Sequence, residues 1–373
     1  MTTHGGRPPF RADHVGSLLR PAALKDAFRR RRTGDIEEAE FQNIQDEAIR
    51  AVVRLQEEAG LQVVTDGEFR RGSYWGRFVE RLEGLEIRPA IFRFHDDHGH
   101  QSDFTAPYAA AKVRRVQPLA VDEFAFVQDV AQAMPHITPK ITMPAPSTLH
   151  FYRCSDFAAA AAYDSAAALF ADLTAAYRAE IADLVAAGCR YLQFDEVAVA
   201  MLCDPAIRDQ VTAVGQDPDA LVGLYIGAIN DAVRDVPDGV TVGIHMCRGN
   251  FKGLYLSEGG YESVAGRYFG ETDVNHFLLE YDTDRAGDFQ PLRHVPKDKG
   301  VVLGLVSSKI PELESVETLQ RRTGEAERYI SLDQLALGPQ CGFASTVAGN
   351  PVTEEIERAK LARIVEAAGK IWG

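Results

Sequence analysis

Val240-Thr241-Val242-Gly243-Ile244-His245-Met246-Cys247-Arg248-Gly249-Asn250 decides how this chain is read. The apolar run is too short for an ordinary helix and breaks into a Gly-containing loop. It therefore reads as a buried strand whose C-terminal end turns polar. Residues i and i+2 of a strand face the same way, which aims the His245 imidazole and the Cys247 thiol at one point. Nitrogen and sulfur donors are what zinc gathers in a tetrahedral shell, so the pair is half a zinc site. Alone, His-x-Cys is a weak sign, because a partly buried thiol beside a histidine is common.

The same form recurs along the chain. Short apolar runs at 12–17, 61–66, 137–143, 191–196, 274–280, 301–306 and 335–338 join 240–247 to give eight strands. Helical spacing occupies 21–32, 36–59, 156–187, 220–233, 313–330 and 354–371, with Pro21 opening the first helix, Gly34 stopping it and Asp156 as the cap of the third. Alternating strands and helices imply a parallel sheet. Eight such units in 373 residues predict an α/β fold of the closed (β/α)8 TIM-barrel kind. An open doubly wound sheet would carry a glycine fingerprint after its first strand, and Gly16-Ser17 is not one. No linker or shift in composition divides the chain, so 1–373 reads as one domain. The stretch 73–135 is irregular, with hairpin strands such as 91–94, and reads as an inserted lid or rim after the second strand. Its His95, His98 and His100 sit among Asp, Gly and Ser and read as a solvated loop.

Composition narrows the function. A formal net charge of −14 disfavours nucleic acid and anionic membrane surfaces as partners. No uninterrupted apolar segment approaches the roughly 20 residues of a membrane helix. The start, Met1-Thr2-Thr3-His4-Gly5-Gly6-Arg7, has no apolar signal core, and the reading is a soluble cytoplasmic protein. Five cysteines, an odd and sparse set, do not make a disulfide framework. Cys154, Cys189 and Cys203 have no ligand-like neighbours and read as structural; Cys247 and Cys341 stand at strand ends.

Reactive groups of such barrels gather at the C-terminal ends of the strands. Those ends carry Ser17, Asp66 and Glu68, Asp195 and Glu196, His245 and Cys247, Glu280, and Cys341. Glu280 and Cys341, remote in sequence, complete a zinc shell with His245 and Cys247 if the barrel closes. Capping of the rim would account for one or two of these residues. A His, two Cys and a Glu from three strands favour the metal.

In Val15-Gly16-Ser17, Asp66-Gly67-Glu68, Phe194-Asp195-Glu196, His245-Met246-Cys247, Leu279-Glu280 and Cys341-Gly342, taken in this order, the whole chain resembles the catalytic domain of cobalamin-independent methionine synthase, in a short single-barrel form. The resemblance implies zinc on His245, Cys247, Glu280 and Cys341. It implies homocysteine bound through sulfur, with its carboxylate near Gly16 and Ser17 and its ammonium on Glu68 and Asp195. It further implies methyl transfer to that thiol, and small-molecule partners only. Two departures concern the donor. The family's longer members carry a Trp in the loop after the third strand, where this chain has Ser147-Thr148-Leu149-His150-Phe151-Tyr152. They also carry Ile-His-Ser-Pro after the seventh strand, where it has Val306-Ser307-Ser308-Lys309. Methyl-tetrahydrofolate, methylcobalamin and other small donors all stay open. Arg70, Arg71, Tyr74, Trp75 and Phe151 are the candidate donor contacts, His14 a candidate proton-transfer group, and Arg248, Asn250, Tyr281, Asp282 and Asp284 neighbours of the ligands. The alternatives are alkylation of another thiol, as in the attachment of coenzyme M to an epoxide, and a non-catalytic zinc or thiol-binding protein. Homo-oligomerisation is open.

Overall fold

The computed structural model describes residues 6–373; Met1–Gly5, on which the leader reading partly rests, lie outside them. Ten strands are formed. They are β1 (Val63–Val64), β2 (Leu82–His95), β3 (Gln101–Arg115), β4 (Thr138–Pro139), β5 (Ile141–Pro144), β6 (Tyr191–Glu196), β7 (Thr241–Met246), β8 (His276–Glu280), β9 (Gly300–Val306) and β10 (Leu335–Pro339). β5 to β10 form one parallel sheet in sequence order, and β1 pairs with β4 in parallel. Lys140 N donates to Val64 O at 2.8 Å, so β4 and β5 act as one strand. The ring closes through residues 11–18. Ala12 bridges Leu337 in parallel, Asp13 N donates to Leu337 O (2.9 Å), and Leu18 N donates to Gly67 O (3.1 Å). The product is the eight-stranded TIM barrel, its first strand reduced to one bridge because only Ala12 reaches ladder geometry.

Apolar side chains of alternate parity face the helices, as with Val242, Ile244 and Met246 on β7 and Phe277 and Leu279 on β8. The outer helices include Ala22–Thr33, Glu38–Glu58, Ala166–Ala186, Pro218–Val233, Val316–Ala326 and Glu354–Trp372. None among the described residues is long and apolar enough to cross a membrane. Ser165 caps Ala166–Ala186 by accepting from Ala168 N, and Thr353 caps Glu354–Trp372 by accepting from Ile356 N. The cap expected at Asp156 is displaced: Cys154–Asp156 forms a separate single 3-10 turn.

The inward parity is polar at the bottom of the barrel. Lys140 Nζ donates to Asp13 Oδ1 (2.8 Å), to the His14 carbonyl and to Gln193 Oε1 (3.0 Å). Tyr191 Oη donates to Asp13 Oδ2 (2.5 Å) and lies 2.7 Å from His276 Nε2. Burial opposes ionisation of Asp13, but the Lys140 charge wins and holds its carboxyl below the usual range.

The stretch 73–135 is regular beyond the hairpin strands expected at 91–94, and opens with the short helix Gly76–Glu80. β2 and β3 make a long antiparallel hairpin, and Val121–Ala131 is a regular helix packed on Glu38–Glu58. The hairpin is tied across the C-terminal face of the barrel. Ile91 N donates to Tyr152 O (3.0 Å), and His95 and Tyr255 exchange backbone hydrogen bonds of 2.8 and 2.9 Å. His98 and His100 are exposed at its tip, where His100 Nδ1 sits 2.7 Å from Asp96 Oδ2.

Candidate active site

The C-terminal ends of β6, β7 and β8 and the loop after β10 converge under the hairpin. Inward parity places Asp195, His245, Cys247 and Glu280 on one side of their strands, since each lies an even number of positions from its inward neighbours Gln193, Gly243 and Leu278. The donor atoms of His245, Cys247 and Cys341 lie within 4.8 Å of one another, with the two sulfurs 3.7 Å apart and no disulfide. His245 Nδ1 is 3.3 Å from Leu278 O, which fixes the ring, while its Nε2 is buried without a partner. A buried imidazole nitrogen left open beside two thiols is unfavourable unless something electrophilic takes it. The three residues fit a zinc ion.

Glu280 is not within that trio. Its Oε2 accepts from Arg248 N at 2.9 Å, and its Oε1 is buried without a partner. Burial opposes ionisation of Glu280, yet Lys309 and then Arg248 hold its carboxyl below the usual range. Arg248, fully buried, donates to Gly259 O (3.0 and 2.6 Å) and to Tyr261 Oη (2.8 Å). Tyr261 Oη in turn donates to Met246 O (3.0 Å), so the pair braces the ends of β7 and β8. Cys247 sits well below the ordinary thiol range because the Cys341 thiol donates to it, and Cys341 is raised in consequence. Burial opposes protonation of His245, but the Cys247 charge raises it above the usual range.

The opposite wall of the same cavity carries carboxylates. Glu68 takes φ of +61°, a left-handed conformation that a non-glycine residue rarely adopts. Its Oε1 accepts from Thr142 Oγ1 (2.7 Å) and pairs with Arg71 Nη1 (3.3 Å), leaving Oε2 buried and open. Arg71 is fixed in turn by Glu123 at 2.7 Å. Asp195 Oδ1 accepts from Gln193 Nε2 (2.8 Å), and burial followed by the nearby Glu68 pushes its pKa up to about 7. Ser17 lies against Gly342, where an added Cβ would meet Ser17 Oγ at 1.8 Å. Gly16 adopts φ of +128° against Thr142. The cavity bounded by Ser17, Glu68, Asp195, His245, Cys247 and Cys341 measures about 50 Å3. It adjoins an aromatic vestibule of about 420 Å3, and the two share Tyr74, Phe94, Tyr152, Asn250 and Ser345. Together they reach the size of an ordinary small-molecule site, about 300–1,000 Å3.

Four expected residues stand elsewhere. His14 has the parity opposite to Asp13 and Val15, so it points away from the cavity, and burial followed by Lys140 lowers its pKa to about 3. Arg70 pairs with Asp46 at 2.5 Å and covers the Phe126 ring at 4.8 Å, outside both spaces. Phe151 is fully buried and stacked on Phe92 at 5.1 Å; its neighbour Tyr152 faces the vestibule instead. Arg71 lies beneath Glu68 rather than in the vestibule. Trp75 does line the vestibule. Tyr281 is buried in the core and meets Tyr261 edge-on at 5.4 Å. Tyr152, Phe94, Phe251 and Ser345 were not singled out from sequence. For Phe94 a signal was available, the aromatic at every other position of the hairpin strand 91–94; Tyr152, Phe251 and Ser345 carry none that residue type shows.

Comparison with known proteins gives one consistent answer. The family described as "Cobalamin-independent synthase, Catalytic domain" matches residues 10–370. A Bacillus subtilis (strain 168) protein described as uncharacterized protein YxjH is 40% identical over 369 residues, covering 98% of this chain and 96% of its own length. A protein of Sulfurisphaera tokodaii described as methionine synthase is 25% identical, over 88% of this chain and 84% of its own. The crystal structure of a Listeria monocytogenes protein designated a vitamin-B12 independent methionine synthase superposes with a TM-score of 0.78 at 31% identity. It covers 98% of this chain and 99% of the other.

Proposed function

Since the chain belongs to the cobalamin-independent synthase catalytic-domain family, and so to the methyltransferases, we propose that it is a zinc-dependent enzyme that methylates the thiol of homocysteine to give methionine. The observation that carries the reading is the unpartnered His245 Nε2 beside the Cys247 and Cys341 sulfurs, facing two carboxylates across one cavity. His245, Cys247 and Cys341 would hold the ion, with Glu280 as the fourth donor. An oxygen donor yields most readily to an incoming sulfur on a borderline-soft metal, which suits Glu280 to leave. When bound, zinc would supply the acidity that turns a coordinated thiol into a thiolate at neutral pH.

The chain's own residues do the rest. Glu68 and Asp195 take the substrate ammonium, a charge-assisted contact that also relieves the mutual repulsion of two buried carboxyls. Ser17 and the backbone at Gly16 receive the substrate carboxylate. Arg71 positions Glu68 and Gln193 positions Asp195. The hairpin strap between His95 and Tyr255 keeps water from the nucleophile. The acceptor is an amino-acid thiol in this reading, because an acceptor without an ammonium would leave the buried Glu68 Oε2 without a partner.

The test is to incubate metal-loaded protein with homocysteine and each of several methyl donors and to measure methionine. Methionine formation that Cys341→Ser abolishes is expected. Its absence with every donor, or full zinc occupancy in Cys341→Ser, contradicts the proposal.

A further inference from the structure

The vestibule adjoining the cavity is where a methyl donor would approach the thiol, and its chemistry is narrow. Trp75, Tyr74, Phe94, Phe104, Tyr152 and Phe251 line it. Phe94 meets Phe104 edge-on at 5.0 Å and tilts on Phe251 at 5.4 Å, and Phe104 meets Tyr152 edge-on at 5.0 Å. The charged side chains lining it are Glu80 and Asp103, both acidic, with Asp103 paired to Arg93 at 2.8 Å. Among the described residues, no Lys or Arg lines it. The nearby arginines are committed: Arg70 to Asp46, Arg71 to Glu68 and Glu123, and Arg20 to the carbonyls of Glu68, Arg71, Ala344 and Thr346. Lys252 Nζ, outside the lining, rests 5.1 Å from the Phe251 ring centroid, so that ring already accepts a cation. Asn250 Oδ1, buried between vestibule and cavity, is an acceptor without a partner.

The leaving group is constrained as well. Among the described residues, no histidine besides His245 lines either space. After β9, Ser308 Oγ is held by Gly342 O (3.0 Å) and Lys309 Nζ by Gly249 O (3.0 Å). A methyl carried on an uncharged nitrogen departs from an amide anion that must be protonated at once. A methyl carried on a positive sulfur or nitrogen departs from a neutral thioether or amine and needs no proton.

We propose that the donor taken in this vestibule is a small onium compound, a methylsulfonium or quaternary methylammonium, rather than a carrier with a polyanionic tail. The inference rests on the methyl-transfer reading above. Aromatic faces with acids beside them bind onium groups through cation–π attraction. In the step itself, the thiolate lone pair forms the new S–CH3 bond. The C–S+ bond of the donor breaks and its pair stays on the departing sulfur. One negative and one positive charge disappear, which a dry cavity favours over water. No further reactant is needed.

The experiment uses the zinc-loaded Trp372→Phe protein, in which Trp75 is the sole indole, since the chain has 2 Trp. Trp75 emission is titrated with S-methylmethionine, methyl-tetrahydrofolate triglutamate and methylcobalamin, and each is then offered, methyl-labelled, with homocysteine. The expected result is a saturable change with the sulfonium at least about tenfold tighter than with the triglutamate, and label transferred from it to methionine. Phe251→Leu and, independently, Phe104→Leu should weaken sulfonium binding several-fold while homocysteine binding stays as it was. Tighter binding of the triglutamate or of methylcobalamin, or methylation by either with none from the sulfonium, overturns the donor assignment and leaves methyl transfer standing. Methylation of homocysteine by no donor at all overturns the methyl-transfer reading, and the donor assignment with it.

Discussion

Two buried polar clusters lie along the axis of one barrel, and they are built to opposite rules. At the bottom, Asp13, Lys140, Gln193 and Tyr191 satisfy one another, both oxygens of Asp13 being taken. At the top, His245 Nε2, Glu280 Oε1, Glu68 Oε2 and Asp66 Oδ2 have no partner. Burial penalises both sets equally. The four lower groups answer the penalty from within the chain, with only the neighbouring His276 Nδ1 left open, and the upper ones do not. The contrast suggests a division between stability and the proposed function: the lower cluster ties the first strand to Lys140, β6 and β8, and the upper one keeps polar atoms open to a ligand. Gln193 joins them, donating to Val15 O (2.6 Å) and to Asp195 Oδ1 (2.8 Å), so the satisfied cluster sets the position of an unsatisfied one.

This contrast can be broken by exchanging the consequences of mutation. Cys341→Ser should bring methionine formation to background and lose most bound zinc, while the urea midpoint of the metal-free protein stays close to that of the parent. A large loss of metal-free stability would make the upper cluster structural. Lys140→Met should do the reverse. It strands a buried Asp13 carboxylate and costs about 3–5 kcal/mol in denaturant unfolding, with zinc bound at full stoichiometry by the folded fraction. Unchanged stability would show that the lower cluster holds nothing together.

Asp195→Asn is a smaller and sharper test. Losing a charge-assisted contact to the substrate ammonium costs about 1.5–3 kcal/mol, roughly ten- to hundredfold in KM for homocysteine. The metal-free protein should be no less stable, because a buried like charge beside Glu68 is removed. A stability loss with KM unchanged would place Asp195 with the lower cluster.

The smallest effect lies outside both regions and measures burial by itself. Glu357 Oε2 accepts from Leu19 N at 2.8 Å, and burial pushes its pKa up to about 8 from 4.5. The folded chain therefore holds a proton that the unfolded chain releases above its own pKa. This contribution is intact below about pH 4.5, declines as pH rises, and levels off above about pH 8. Glu357→Gln should remove that slope and be the more stable protein at pH 8.5 by on the order of 1–2 kcal/mol. Parallel pH–stability curves for the two proteins would contradict it.

Much of the fold was legible because a parallel barrel repeats one sentence, an apolar run followed by a polar end, and β6 to β10 say it plainly. The first strand was legible too, at 12–17, although in the structure Ala12 alone makes a ladder bridge there. The hairpin was read in part, at 91–94, and its full length, Leu82–His95 with Gln101–Arg115, was not, because much of both strands is exposed and carries no continuous apolar run. The helix Val121–Ala131 was overlooked for being enclosed in that stretch, though Phe124 and Val127 keep helical spacing. At the site, residue classes were legible and directions were not. His14 and Asp13 are neighbours of opposite parity, and the choice of His14 followed its chemistry where alternation favoured Asp13 and Val15. Phe151 and Tyr152 differ by one step on a single helical turn, about 100° of rotation, which exchanges core for vestibule. Arg70 and Arg71 diverge for the same reason, one to Asp46 and one to Glu68.

X-ray absorption at the zinc edge, on the protein before and after homocysteine is added, reaches the top cluster directly. The account predicts zinc bound with two sulfur neighbours near 2.3 Å, from Cys247 and Cys341, rising to three with homocysteine as one lighter neighbour is lost. A sulfur count unmoved by homocysteine, or a protein that takes up no zinc, would contradict it.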